Sequence, residues 1–239
     1  MKVRVYLRAF WPLYLLAMLA TSLAVEISGR GIAVFSDQRI EVTKHVIIID
    51  AGHGGEDGGA ISCTGMAESQ INLQIALRLE DLLHLLGFET CMIRRTDVSV
   101  YTQGNSLSEK KVSDLRQRVR IVNEMEGAFL VSIHQNAFPD SQYYGAQVFY
   151  NRDAVAKQLA VELQQSFQIN LNPASNRKSK PADGVYLMQK IEKPGILVEC
   201  GFLSNPQEEA RLRQSAYQKK LCCVIASTLS LHLDWQTNG

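Results

Sequence analysis

Short runs of β-branched and other apolar residues alternate along the chain with longer stretches whose apolar positions return about every three to four residues. His45 to Asp50 (HVIIID), Cys91 to Arg94, Phe129 to His134 (FLVSIH), Ala146 to Tyr150, Val185 to Met188 and Ile196 to Cys200 have the length and residue types of strands. Between them, Ile71, Ile75, Leu79, Leu82 and Leu86 fall on one face of a helix, and Gly87 stands where a C-terminal cap is expected. Further helical patterns run over about Ser113–Met125, Ala154–Phe167 and Gln207–Leu233. Strand and helix in alternation predict an α/β fold, a single domain whose doubly wound, mixed and mostly parallel sheet carries helices on both faces. The chain has no internal repeat and no low-complexity tract.

The first 25 residues break this pattern. Lys2, Arg4 and Arg8 precede a run from Ala9 to Val25 that contains no charge, and Glu26 follows it. Cations clustered at one end of an apolar run without helical periodicity read as an export signal or an N-terminal membrane anchor rather than as a buried helix. Ser22-Leu23-Ala24 has the small-x-small form of a cleavage site, so both outcomes stay open. Residues 1–25 are therefore expected to export or tether, 26–44 to link, and 45–235 to form the folded domain, outside the cytoplasm. With 46% hydrophobic and 21% charged residues in 239, the chain is neither disordered nor polytopic. Removing the three N-terminal cations from the formal net charge of +1 leaves the remainder at −2, which argues against nucleic acid as a partner. Five cysteines, Cys63, Cys91, Cys200, Cys222 and Cys223, are odd in number and too few for a disulfide framework.

Reactive groups in such folds gather beyond the carboxyl ends of the strands. Three segments meet that condition. HVIIID opens into Asp50-Ala51-Gly52-His53-Gly54-Gly55, FLVSIH ends on His134 and continues as Gln135-Asn136-Ala137, and GILVECGF carries Glu199 near its end. The glycines around His53 lack the Lys-Ser/Thr of a phosphate-binding loop and the spacing of a dinucleotide fingerprint. Two histidines at strand ends are better explained by zinc, which takes three protein ligands at a catalytic site and leaves a fourth position open. Glu68, at the first turn of the next helix, is the candidate third ligand. Its alternative is a carboxylate that complements the helix dipole. Glu199 is either a general acid/base beside that metal or a satisfied structural carboxylate. His45, His84 and His232 read as surface or packing residues, and Asn136 as a substrate contact or a turn residue.

These segments, taken in order, resemble the zinc-dependent N-acetylmuramoyl-L-alanine amidases of bacterial cell walls. IIIDAGHGGEDGGA resembles the family's first ligand loop, Glu68 with Asn72, Leu73 and Ala76 its glutamate helix, and Arg94 with Asp97 its arginine strand. DLRQRVRIVN resembles the next helix, SIHQNA the second histidine motif, and KPGILVECGFLSNPQE the catalytic-glutamate segment. The resemblance implies one zinc per chain on His53, Glu68 and His134, with Glu199 as general acid/base. It further implies hydrolysis of the amide between N-acetylmuramic acid and L-alanine of the peptidoglycan stem peptide. Ser69 replaces a lysine frequent in the family, and the segment between His134 and Tyr150 is too short for the helix that occludes zinc in some relatives. GAQVFYN and the stand-alone domain resemble the spore-cortex amidases of spore-forming bacteria. Without wall-binding repeats, localisation is left to the N-terminal segment or to a protein partner. The competing readings are a zinc peptidase that cuts within the stem peptide and a non-catalytic wall-binding module.

Overall fold

The computed structural model describes residues 46–237. The segments 1–25 and 26–44, and His45, lie outside the described residues. The strands are β1 (Val46–Ala51), β2 (Glu89–Met92), β3 (Ala128–Asn136), β4 (Gln147–Tyr150), β5 (Lys180–Pro181) and β6 (Gly195–Phe202), in the spatial order β2-β1-β3-β6-β4-β5. Neighbours among β2, β1, β3 and β6 run parallel, β4 runs antiparallel to β6, and β5 pairs parallel with β4. The helices are α1 (Glu68–Leu85), α2 (Leu107–Glu124), α3 (Ala154–Asn170), α4 (Tyr186–Lys190), α5 (Pro206–Leu212) and α6 (Ser215–Thr237).

Alternation along the strands divides the core in two. Ile47, Ile49, Phe129, Val131, Ile196 and Val198 pack with α1, α3 and α6, whereas Ile48, Leu130 and Leu197 pack with Val122 of α2 and Leu187 of α4. The apolar runs of β1, β3 and β6 are thus buried on both faces, as a parallel interior sheet requires. Each fully buried isoleucine or leucine stabilises the fold by about 1.5–3 kcal/mol relative to exposure. The expected α/β architecture is the one observed.

Three local expectations differ from the structure. Val185–Met188 is not a strand: Tyr186–Lys190 is a short helix in which Leu187, Met188 and Ile191 bury one side against the second cluster, and Lys180–Pro181 takes the place beside β4. Residues 207–233 form two helices, because the chain turns at Arg213–Gln214 and the Gln218 side chain donates to the Leu212 carbonyl at 2.7 Å. The second helix begins at Leu107, where Ser106 and Glu109 form a reciprocal capping box. Residues 137–146 contain no helix, as expected for that connection. The five cysteines are free thiols, with Cys222 buried and Cys223 exposed on α6.

Two buried arginines join the sheet to its loops. Arg118 on α2 donates to Asp50 at the end of β1, to Asp114 at 2.6 Å, to the Ala51 carbonyl at 3.2 Å and to the His53 carbonyl at 2.8 Å. Ser132 completes the Asp50 carboxylate at 2.6 Å. Burial pushes the Asp50 carboxyl up, but the Arg118 charge, helped by His134 and the two hydrogen bonds, outweighs it and holds the group below its ordinary value. Arg94 donates to the carbonyls of Ala51, Gly52 and Ser69 at 2.8, 3.0 and 2.9 Å. Replacing Arg118 with Met should cost about 3–5 kcal/mol in urea unfolding, since Asp50 is left charged and unpaired. A loss below about 1 kcal/mol would show that the pair is not structural. Because the folded Asp50 value is depressed, its contribution is complete above the ordinary value of 3.8 and is lost as pH falls through the lower folded value.

Candidate metal centre

The loop after β1 turns sharply, so that His53 adopts a left-handed backbone with φ of 60°. This region is uncommon for a residue with a Cβ, although histidine tolerates it better than most. The Arg118 bond to the His53 carbonyl, the Arg94 bond to Gly52 and the 2.8 Å bond from Gly54 N–H to the Asp57 carbonyl hold the turn. The backbone geometry aims the imidazole towards α1. There His53 Nε2 lies 3.3 Å from Glu68 Oε2, and His134 Nδ1 lies 3.0 Å from Glu68 Oε1. Two glycines make room for this approach: a Cβ on Gly52 would overlap the His134 ring, and one on Gly59 would come within 2.6 Å of Glu68 Oε2.

His53, Glu68 and His134, from three separate elements, each present one ligand atom, and the three atoms lie within 4.8 Å of one another. Ligands of a tetrahedral zinc stand about 3.4 Å apart given metal–ligand bonds of about 2.0–2.2 Å. The two imidazoles approach different oxygens of Glu68, at 3.3 and 3.0 Å, and two imidazoles with one carboxylate form a donor set suited to such a cation. Glu68 is oriented by the N–H groups of Ala60 at 3.0 Å and Gln135 at 3.1 Å and by Asn72 at 3.2 Å. Asn72 also bonds the Gly52 carbonyl and Gln135, joining the glutamate helix to both histidine segments.

Sequence reasoning missed Asp57, whose Oδ2 lies 2.9 Å from His53 Nδ1. A carboxylate on one ring nitrogen fixes the proton there and directs the other nitrogen to the site. An acid four residues after the histidine in the glycine-rich loop was the available signal. Burial opposes protonation of His53, but hydrogen bonds and charges of Glu68 and Asp57 prevail and raise its pKa to about 8. Glu68 is held far below the usual carboxylate range despite its burial, by the hydrogen bonds and charges of His134 and His53.

Glu199 lies beside this group without joining it. It is the β6 register partner of His134 on β3, so the two side chains share a face of the sheet. Although the residue as a whole is half-buried, its Oε2 is enclosed and has no hydrogen-bond partner among the described residues. Burial, assisted by the Glu68 charge and opposed by the two histidines, pushes its carboxyl up to about 7. The other histidines are elsewhere: His84 bonds Thr90 at 2.6 Å on the surface, and His232 meets Glu162 at 2.9 Å.

A metal-accepting group and an up-shifted carboxyl at the carboxyl edge of an α/β sheet define a hydrolase-type site. Residues 47–230 match the N-acetylmuramoyl-L-alanine amidase family, and the chain belongs to that family. It is 40% identical over 182 residues to the germination-specific N-acetylmuramoyl-L-alanine amidase of Bacillus subtilis, covering 75% of this chain and 76% of that protein. Among solved structures it is similar to the CwlD amidase of Clostridioides difficile, solved in complex with the GerS lipoprotein, at TM-score 0.76 and 36% identity over 80% of this chain and 99% of that one. The N-acetylmuramoyl-L-alanine amidase of Clostridium difficile 630 superposes at TM-score 0.69 with 28% identity, over 80% of this chain and 98% of that one. The protein is an N-acetylmuramoyl-L-alanine amidase that acts on peptidoglycan.

Two outcomes follow from the geometry. Metal binding must displace a proton from His53, so a calorimetric titration at pH 7 in buffers of different ionisation enthalpy should register about one proton released, and affinity should fall about tenfold per unit as pH drops below 8. A pH-independent affinity between 6 and 8 would contradict His53 as a ligand. Gly52→Ala should displace the His134 ring and weaken metal binding by at least about tenfold, as losses in supporting shells do. Wild-type affinity in that variant would mean that the ring does not need the close approach.

Proposed function

We propose that this chain is a zinc-dependent amidase of the spore cortex, in which His53, Glu68 and His134 hold one zinc and Glu199 is the general acid/base. The observation that carries the reading is the enclosed, unpartnered Glu199 oxygen beside a His-Glu-His group. Zinc, when bound, polarises the substrate carbonyl and lowers the pKa of the attacking water. Glu199 takes the proton of that water and delivers it to the amide nitrogen, so that the C–N bond breaks and the stem peptide leaves with a free L-alanine amino group. Burial raises this carboxyl above its ordinary value, the direction that favours proton exchange over permanent ionisation. Asp57 keeps the His53 proton on Nδ1 and Nε2 free, while the bonds from Ala60, Asn72 and Gln135 fix the Glu68 carboxylate.

The cortex assignment is supported by the germination-specific Bacillus subtilis relative. The N-terminal segment would export the domain and tether it outside the cytoplasm, with residues 26–44 as linker and 45–235 as catalytic domain. Among the described residues no helix is long and apolar enough to cross a membrane. The solved complex of CwlD with a lipoprotein supports a protein partner here as well. A zinc peptidase or a non-catalytic wall-binding module is the alternative, and digestion distinguishes them. Purified cortex should release intact stem peptides with L-alanine at the amino terminus, and a chelator should stop the release. Cuts within the peptide would identify the peptidase, and no cut the binding module.

Glu199→Gln should retain zinc and lose about 100- to 10,000-fold in rate, the usual contribution of a general acid/base. Loss of zinc together with activity would make Glu199 a ligand instead. Near-wild-type turnover with zinc in place would remove it from the mechanism.

A further inference from the structure

A cleft of about 620 Å³ opens on the β4–β5 side of the site, lined by Tyr143, Tyr144, Gln147, Arg177, Lys178 and Lys180 among others. It adjoins the reaction centre, because Gln147 is the register partner of Glu199 in the antiparallel β4–β6 ladder. Residues directly opposite in such a ladder present their side chains on the same face, about 5 Å apart. Gln147 in turn accepts from Arg177 Nη1 at 2.7 Å and donates to the Lys178 carbonyl at 2.9 Å.

Arg177 is held in place on several sides. Its Nε donates to the Tyr144 carbonyl at 2.7 Å, and its guanidinium lies 4.5 Å from the centroid of the Phe202 ring, on which Tyr143 stacks. These contacts use Nε and Nη1, and among the described residues Nη2 has no hydrogen bond. Glu208 acts on Arg177 only through space, since its carboxylate accepts from the N–H groups of Gly145 and Phe202, both at 2.9 Å. Arg177, Lys178 and Lys180 thus line one cleft without an ion-pair partner among the described residues. In a domain that carries no net positive charge, three such cations facing one cavity point to an anionic ligand.

Resting on the amidase reading above, we infer that this cleft binds carboxylates of the stem peptide, with Arg177, Lys178 and Lys180 as specificity residues. The amide being cut joins a sugar whose own acid is consumed in that bond to a peptide that retains carboxylates, so charge assigns the cleft to the peptide side. Strands are about 4.8 Å apart, which puts the cleft two to three spacings, about 10–14 Å, from His134 across β6 and β4. Extended peptide advances about 3.4 Å per residue, so the recognised carboxylates belong to about the third and fourth residues after the scissile bond. The glycan strand then leaves the site towards β1 and β2.

The test compares soluble muropeptides whose stem carboxylates are free with the same compounds carboxamidated, using zinc-loaded protein. Wild type should show a KM about tenfold higher for the amidated substrate with kcat little changed, the pattern of lost binding rather than lost chemistry. K178Q/K180Q changes two exposed side chains and should raise KM for the free-acid substrate about tenfold, abolish the discrimination and leave kcat in place. R177Q should do the same, and R177K should rescue only part of it, because a point charge does not reproduce the fork. Equal KM values for both substrates in wild type, or discrimination that survives in K178Q/K180Q, would overturn the inference. Calorimetric titration with the free acidic stem peptide needs no turnover and separates this inference from the catalytic reading. Binding by wild type that K178Q/K180Q loses supports the cleft even if the zinc or Glu199 assignment fails, and binding unchanged by the variant overturns it even if that assignment holds.

Discussion

The guanidinium of Arg118 is the point on which the site's geometry depends. It is buried, it pairs with both Asp50 and Asp114, and it takes the carbonyls of Ala51 and His53, so one side chain fixes α2, the end of β1 and the first histidine loop together. Charged groups are buried at considerable cost unless paired and hydrogen-bonded, and this cluster meets both conditions. Its return is directional. A left-handed histidine in a glycine-rich turn has few reasons of its own to hold one orientation, and the carbonyl bonds from Arg118 and Arg94 supply them.

Around that anchor, the parallel register of β1, β3 and β6 brings the chemistry to one edge. Strands that start together end together, so the loop after β1, His134 on β3 and Glu199 on β6 meet although they lie far apart in the chain. Environment then separates the two glutamates. Glu68 accepts from two N–H groups and faces two imidazoles, which hold it ionised, whereas Glu199 has an enclosed oxygen with no such donors and is pushed towards neutrality. Two carboxylates a short distance apart are thus suited to different tasks, one to holding a cation and the other to exchanging a proton.

Much of this was legible in the sequence because the informative signals were local. Runs such as VIIID and FLVSIH are short, β-branched and buried on both faces, and each delivers its polar residue at the strand end. The start of α2 was also present in the sequence, as Ser106 three residues before Glu109, but the first turns contain few apolar residues and their periodicity is weak. Val185–Met188 was misread because a four-residue apolar run fits a strand or a helical turn equally well, and only the pairing of Lys180–Pro181 with β4 decides between them. Arg118 carried no signal of its role, and the only signal for Asp57 was its place four residues after His53 in the glycine-rich loop. Their partners lie across the fold or within a turn, and a charged residue in an amphipathic helix or a loop is ordinarily solvated.

The assignment of one zinc to His53, Glu68 and His134, with Glu199 outside the coordination sphere, is tested most directly by anomalous diffraction at the zinc edge from crystals of the zinc-loaded protein. One anomalous peak should lie about 2.0–2.2 Å from one nitrogen of each of the two histidines and from an oxygen of Glu68, with both Glu199 oxygens beyond bonding distance. A peak bonded to Glu199, or one that leaves any of the three residues unliganded, would contradict it.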